Sequence, residues 1–434
     1  MINGYDIAWG AILGLGAPFW LVQPRARRKV LRALSERMGR GVPRAGTAPA
    51  VMIHAVSLGE INATRALVRM LAEARPDLYF VVSTTTDTGF ARGRELYGAE
   101  PRVTLIRYPL DFTGAVARVL DNLRPALVVL MELEVWPNFL RQCERRDIPV
   151  LLINGRLTES SYRNYRLGGP LVARMFRRLS AVCAQDDTYA RRFAALGAPA
   201  DRVRVTGTMK FDTAPVAERI EGAEALAAEV GLRPGHEPIW VCGSTGPGEE
   251  ELILDRFKTL GPRLRLVLVP RKPERFDEVA DLVTDEGFAL VRRSAPDEPV
   301  EGRTDHPPVI LGDTMGELRK FYSVADVVFV GRTLLDLGPR QRGSDMIEPA
   351  ALAKPVVVGP YTHNFADAMA RFREADAVRV VHDAPELERA VSEILSSRDR
   401  GAAMGKRAQD VVRREQGATA RHVGMILEHL TRRA

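Results

Sequence analysis

The stretch Val51-Met52-Ile53-His54-Ala55-Val56-Ser57-Leu58-Gly59-Glu60-Ile61-Asn62-Ala63 decides the fold. Its first half is an apolar run interrupted only by a histidine, the pattern of a strand buried on both faces. Ser57, Leu58 and Gly59 make a tight turn. Glu60 then opens a helix in which Ile61, Leu67, Val68 and Leu71 recur at roughly helical spacing. Strand, turn and helix form the first unit of an open α/β sheet, whose ligands sit in the crevice outside the carboxyl ends of the strands. A carboxylate at that spot can accept a proton from a substrate hydroxyl. A second reading stays open: Ser57-x-x-Glu60 fits the capping box, in which Glu60 only reaches back to the backbone N–H of Ser57.

Downstream the pattern repeats. Apolar runs near 50–56, 78–84, 103–107, 126–131, 149–154, 180–184 and 203–207 alternate with helical segments. A second series follows at 238–242, 265–270, 288–292, 308–312, 326–330, 355–358 and 378–381. These runs are apolar throughout rather than alternating, as parallel strands covered on both faces require. The expected fold class is α/β, with two Rossmann-like doubly wound domains facing across a cleft. The expected divisions are a membrane-associated segment and basic collar (1–45), an N-terminal acceptor domain (46–212), a linker with one helix (213–235), a C-terminal nucleotide-sugar domain (236–415) and a last helix (416–434) that returns to the first domain. Neither series opens with G-x-G-x-x-G, and no P-loop is present, so a dinucleotide fingerprint is absent.

At 434 residues the chain is long enough for two or three domains. Lys and Arg number 62 against 55 Asp and Glu, for a net charge of +7. Such a surplus speaks of anionic partners and not of fold. The basic residues do not interleave with aromatics, which make up only 6% of the chain, so nucleic-acid binding is disfavoured. Cys143, Cys183 and Cys242 lie far apart without a CxxC, which supports reduced core packing in an intracellular protein rather than zinc or disulfides. No metal site is expected.

Ile7 to Val22 is as apolar as a membrane segment, yet its 16 residues fall short of the roughly 20 that a spanning helix needs. Arg25, Arg27, Arg28, Lys29, Arg32, Arg37, Arg40 and Arg44 follow at once. No small-residue cleavage site precedes that cluster, against a removable signal peptide. A short anchor or an interfacial helix pinned by basic residues to anionic headgroups fits best, with the bulk of the protein on the cytoplasmic face of the inner membrane. The alternative is an ordinary first helix of the N-terminal domain.

Several strand ends carry polar residues that a buried core does not need. Ser83, Thr84 and Thr85 follow the second strand and suit a polar or anionic ligand, or plain helix capping. Glu132 and Glu134 follow the fourth strand, and Arg156 ends the fifth; a buried carboxylate needs a partner, which favours a structural Glu–Arg pairing. In the second half, Ser244 and Thr245, then Arg271 and Lys272, then Gly312, Thr314, Met315 and Gly316 occupy three strand ends with anion-binding character. Ser344, Asp345 and Glu348 precede a further strand, with Glu348 suited to ribose hydroxyls. Four such turns at matching ends make a nucleotide-sugar site the best explanation.

Taken together, these stretches resemble the 3-deoxy-D-manno-octulosonic acid (Kdo) transferases of lipopolysaccharide assembly. The likeness rests on His54 to Glu60, Ser83 to Gly89, Glu132 to Asn138 and Asn154 to Leu157, and on Val205 to Asp212 with Lys210. It continues through Gly243 to Thr245, Val269 to Arg271 and Gly312 to Leu318, covering about residues 50 to 365. The resemblance implies a GT-B fold, an N-terminal membrane-associated segment, and inverting transfer of Kdo from CMP-Kdo, a co-substrate, to a tetraacyl lipid A precursor, with no cofactor. It makes Glu60 the general base; Ser57 and Gly59 beside it are expected to be acceptor-side or structural. Two positions depart from the family. Gln341-Arg342-Gly343-Ser344-Asp345-Met346 replaces Gly-Gly-His-Asn-Pro, leaving Asp345 to contact ribose or to pair with Arg342, and Lys272 replaces a histidine. Both touch the expected CMP pocket. A sugar-nucleotide epimerase, another GT-B enzyme with a different donor and a non-catalytic membrane-bound nucleotide-binding protein are the rival readings. Oligomeric state is not legible.

Overall fold

The apolar runs build two separate parallel sheets. The computed structural model describes residues 3–16, 22, 31, 33–44, 46–303, 305–338 and 343–431. Most of the basic collar (Arg25, Arg27, Arg28, Lys29 and Arg32), much of the 7–22 segment beyond Leu15, and the Gln341-Arg342 pair lie outside the described residues. The chain divides into one compact unit of Met1–Thr213 with Gln416–Ala434 and a second of Ala214–Glu415.

The first unit holds β1 (Ala50–His54), β2 (Tyr79–Thr84), β3 (Val103–Arg107), β4 (Leu127–Met131), β5 (Val150–Gly155), β6 (Ala181–Ala184) and β7 (Val203–Val205). All pair in parallel in the order β3-β2-β1-β4-β5-β6-β7. Successive side chains point to opposite faces, so each strand feeds two cores. Met52, Val128, Leu130 and Leu152 pack on one side with Val116, Leu120 and Phe139. Val51, Ile53, Val129 and Leu151 pack on the other with Leu67, Leu71 and Ile426. Full burial of each such side chain is worth about 1.5–3 kcal/mol. Ile426 belongs to the helix Ala418–Thr431, so the end of the chain completes the core of its beginning.

The second unit holds β8 (Ile239–Thr245), β9 (Arg265–Pro270), β10 (Leu290–Arg292), β11 (Ala295–Val300), β12 (Val309–Leu311), β13 (Val327–Val330), β14 (Val356–Val358) and β15 (Arg379–Val380). Their order is β11-β10-β12-β9-β8-β13-β14-β15. Both sheets reverse direction beside their first strand, between β1 and β4 and between β8 and β13. Such switch points are where open α/β sheets bind ligands.

Three expectations need correction. The first strand stops at His54 rather than Val56, because the backbone at Val56 and Ser57 turns to serve Glu60. β11, with the sequence Ala-Pro-Asp-Glu-Pro-Val, was not expected; it pairs antiparallel to β10 at the sheet edge, where proline is tolerated. Arg37, read as part of the collar, is partly buried near Arg107, and burial lowers its pKa.

The helix Gly4–Leu15 covers the described part of the apolar N-terminal run. Asn3 caps it, and Asp6 accepts from the Thr113 N–H (2.8 Å) and hydroxyl (2.6 Å), which fastens the helix to the first unit. No helix among the described residues is long and apolar enough to cross a membrane.

Candidate functional site

In the first unit the site begins with the turn after β1. Glu60 is buried, and its two carboxylate oxygens accept from the N–H groups of Val56 (2.9 Å) and Ser57 (3.2 Å). The Ser57 hydroxyl accepts in return from the Glu60 N–H at 3.2 Å, so the capping box is formed. Capping does not use up the carboxylate. Each oxygen has two acceptor positions and spends one on the backbone, leaving one for a hydroxyl donor. The Val56 carbonyl is gripped in turn by the hydroxyls of Thr84 (3.3 Å) and Thr86 (2.7 Å) from the turn after β2. Gly59 leaves the outer side of the turn open, its nearest neighbour being the Ser57 hydroxyl. Thr85 is partly buried beside these hydroxyls.

Glu132, just past β4, adopts a left-handed backbone (φ 55°) that turns its carboxylate to the same end of the sheet. Burial raises its pKa and the neighbouring Glu60 adds to the rise, while Lys210 and Arg156 act against it. The structure thus brings Glu60, Glu132, Arg156 and Lys210 into one electrostatic group. Glu134 has other partners. Its carboxylate accepts from the Trp136 indole N–H (3.0 Å) and faces His54 Nε2 at 3.7 Å. Burial works to raise its pKa, but these two contacts outweigh burial and the pKa is lowered. Lys210 and Arg156 thus act electrostatically on Glu132, whereas Glu134 is held by Trp136 and faces His54. Fully buried His54 stacks on Tyr108 at 3.7 Å, and its Nδ1 lies 3.1 Å from both the Ser83 carbonyl and hydroxyl oxygens.

Lys210 owes its place to residues to which the sequence alone assigns no structural role. Asn154 ends β5 in a left-handed conformation (φ 51°), and its side-chain oxygen accepts from the Met209 N–H at 3.1 Å. The Asn154 N–H donates to His422 Nε2 at 3.2 Å, and the Thr206 hydroxyl contacts the same nitrogen at 2.9 Å. Asp212 accepts from the N–H groups of Gly417 (2.7 Å) and Thr419 (2.6 Å) at the start of that last helix. The Thr206–Asp212 segment is thereby clamped between β5 and the chain's end. Asn154 and His422 are 268 positions apart, and no local pattern signals their meeting.

The second unit gathers its own set. After β8, Ser244 adopts a left-handed backbone (φ 56°), and its carbonyl accepts from the Ser344 hydroxyl at 3.2 Å. Ser344 also accepts from Arg332 Nε at 3.1 Å. The Thr245 carbonyl accepts from the Arg271 N–H (3.1 Å), which ties the turn after β8 to the end of β9, and Lys272 stands exposed next to it. Buried Glu249 accepts from the N–H groups of Gly246, Arg332, Thr333 and Leu334 at 2.6–3.0 Å. It locks the β8 and β13 turns together at the switch point. In the turn after β12, Thr314 donates to Glu317 at 2.6 Å, Met315 projects into solvent, and Gly316 takes a φ of 86°; Gly312 packs against Phe321 and Val269. Glu348 is pushed up to about 7 by burial and then by Asp345, with Arg319 and Arg271 pulling it back. Asp345 itself accepts from the Ile347 N–H at 2.8 Å. Two carboxylates and two arginines thus share the space beside the β8 turn. Among the described residues no cluster of three or more His, Cys, Asp or Glu is arranged to hold a metal ion.

A family model described as 3-deoxy-D-manno-octulosonic-acid transferase (kdotransferase) matches residues 32–213. The 3-deoxy-D-manno-octulosonic acid transferase of Haemophilus influenzae is 35% identical over 386 residues, 88% of this chain and 87% of that protein. Its namesake in Bordetella pertussis is 35% identical over 431 residues, 95% and 96% of the two chains. Among solved structures, the UDP-GlcNAc 2-epimerase of Neisseria meningitidis bound to UDP-GlcNAc superposes with a TM-score of 0.55 at 13% identity, covering 88% of this chain and 100% of that one. Anabaena Alr3699/HepE in complex with UDP gives 0.55 at 14%, covering 88% and 99%. These distant likenesses establish the GT-B type of fold, with its two Rossmann-like sheets. Similarity to the two transferases over nearly their whole lengths goes further: the chain belongs to the 3-deoxy-D-manno-octulosonic acid (Kdo) transferase family of glycosyltransferases.

Proposed function

We propose that this Kdo transferase takes its sugar from CMP-Kdo and delivers it to a lipid A precursor of the lipid IVA type at the cytoplasmic face of the inner membrane. Glu60 removes the proton from a primary hydroxyl of the acceptor. The freed oxygen bonds to the anomeric carbon of Kdo while the bond from that carbon to the CMP phosphate oxygen breaks, and CMP leaves with the electron pair. Inversion follows from a single displacement, and no cofactor takes part. Arg271, Lys272 and the backbone N–H groups near Ser244, Thr245, Met315 and Gly316 receive the charge that grows on the phosphate. Glu348 holds the ribose hydroxyls, with Ser344 and Asp345 shaping that wall. In the first unit, Lys210 and Arg156 balance the two carboxylates of Glu60 and Glu132 and meet the phosphates of the acceptor.

The observation that carries this reading is the Glu60 carboxylate, anchored by two backbone N–H groups yet with one acceptor position left on each oxygen. The test incubates purified protein with CMP-Kdo and a lipid A precursor and reads the products by mass spectrometry. The expected product is the precursor plus Kdo, with CMP released in step. CMP released and sugar altered with donor alone would identify an epimerase. Nucleotide binding without any CMP release would identify a binding protein.

A further inference from the structure

Beyond β5 the first unit carries two short helices, Glu159–Arg166 and Gly169–Phe176, joined by Leu167 and Gly168. The inner side of this hairpin is satisfied. Met175 and Phe176 are buried, and Tyr162, Tyr165 and Val172 pack against the same core. Its tip is not. Leu167 is 87% exposed and Leu171 57%, with Pro170 exposed between them. Single exposed leucines are ordinary, but two at one tip flanked by arginines are not.

The charge pattern is one-sided. From Ser160 to Gln185 the sequence has five arginines and no Asp or Glu. Arg163 pairs with Glu159 and Arg178 with Glu144. Among the described residues no carboxylate lies within ion-pair distance of Arg166, Arg174 or Arg177. The hairpin also adjoins the N-terminal helix: Tyr165 stands close enough to Tyr5 to act on it electrostatically. That helix exposes Ile7, Ile12 and Leu15. Apolar tips ringed by unpaired guanidinium groups match an anionic bilayer surface, where arginine grips phosphate and leucine enters the acyl boundary.

We infer that the Arg163–Arg177 hairpin is a second membrane-contacting element, in which Leu167, Pro170 and Leu171 enter the interface and Arg166, Arg174 and Arg177 meet anionic lipid headgroups. This rests on the reading that the enzyme works at a membrane, and adds to it a contact independent of residues 1–22. It makes the hairpin and the N-terminal helix two legs of one docking surface on the first unit.

The experiment uses the full chain and co-sedimentation with vesicles of phosphatidylethanolamine and phosphatidylglycerol, against vesicles of phosphatidylcholine alone. A Leu167→Asp/Leu171→Asp variant should partition at least tenfold more weakly onto both vesicles. An Arg166→Gln/Arg174→Gln/Arg177→Gln variant should lose about fivefold per arginine on the anionic vesicles only, with the difference shrinking at high salt. Both should keep the parental melting temperature and CMP affinity, which separates lost docking from lost folding. Unchanged partitioning of either variant overturns the proposal, including the case in which the patch proves to bind a protein instead. If the parent itself binds neither vesicle, the membrane reading falls and the hairpin's role falls with it. If the parent and a chain lacking residues 1–22 both bind but the hairpin variants match them, only the hairpin is refuted.

Discussion

Glu60 caps its helix, and in the proposed mechanism it also takes a proton; substitution can separate the two. Ser57→Ala removes the cap but leaves the carboxylate; a lost N-cap costs about 1 kcal/mol of stability. Its turnover should fall only severalfold. Glu60→Gln keeps an acceptor for a backbone N–H but cannot take a proton, so it should melt near the parent, bind CMP normally and lose about 10²- to 10⁴-fold in kcat. Calorimetry beside a steady-state assay checks both, and near-normal turnover in Glu60→Gln would reduce Glu60 to a cap. His422 supports the same site from a distance. Burial drives its pKa down to about 3, with Arg421 adding to the fall, so it serves as a neutral acceptor. A depressed pKa in the folded state means this contribution is complete above 6.5 and is lost as pH falls from there toward 3. His422→Phe would strand the Asn154 N–H, at about 1–3 kcal/mol for a buried group left unpaired, and leave the Thr206 hydroxyl only its bond to the Ala184 carbonyl. Through Met209 it would also loosen Lys210, so kcat should drop along with stability, and the acid sensitivity of the parent between pH 6.5 and 3 should diminish in urea titrations.

At the scale of elements, close backbone approach at the β8–β13 switch point makes a sharp prediction. Gly331 follows β13, and a Cβ there would run into the backbone of Ser244 and Thr245. Gly331→Ala must push the β8 turn aside, so CMP affinity should fall at least tenfold while the first unit's melting is unaffected. Titration calorimetry with CMP decides the matter. The same elements explain what could be read from sequence. Parallel strands buried on both faces must be apolar along their length, so β1, β4, β8 and β13 announce themselves. β11 does not, because an edge strand with two prolines and two acids has neither an apolar run nor an alternation. Glu60 was legible since strand, turn and helix are contiguous; the cap it forms is seen in the structure, and its proposed role as base is what the Glu60→Gln assay tests. The clamp on Lys210 was hidden by its nature: Asn154, Thr206, Asp212 and His422 meet only after the last helix has packed on the first sheet.

For the molecule as a whole, buried carboxylates set a pH window. In the second unit burial raises Glu249 and Glu250, and burial together with Asp345 lifts Glu348 from 4.5 to about 7. A carboxyl whose pKa is raised by folding favours the native state while protonated. Its contribution is complete below 4.5 and is lost as pH climbs through 7. Asp313 and Glu317 act in the opposite sense: although burial works to raise them, hydrogen bonds from Ser294 and Arg292, and from Thr314 and Arg293, lower their pKa. Their contribution stands above the ordinary carboxylate range and fades below it. The two windows meet near pH 5, where the second unit should be most stable. A rise from 4.5 to about 7 corresponds to at most about 3.4 kcal/mol, and Arg271 beside Glu348 is exposed, so a loss of about 1–2 kcal/mol between pH 5 and 8 is the expected scale. In a unit of this size that shifts melting by a few degrees. Glu348→Gln removes the ionisation and should flatten that part of the profile, gaining on the parent as pH rises through 7 and matching it at pH 5. Scanning calorimetry of both proteins across that range is the check. A constant gap between the two curves would mean that Glu348 ionises as freely in the folded chain as in the unfolded one.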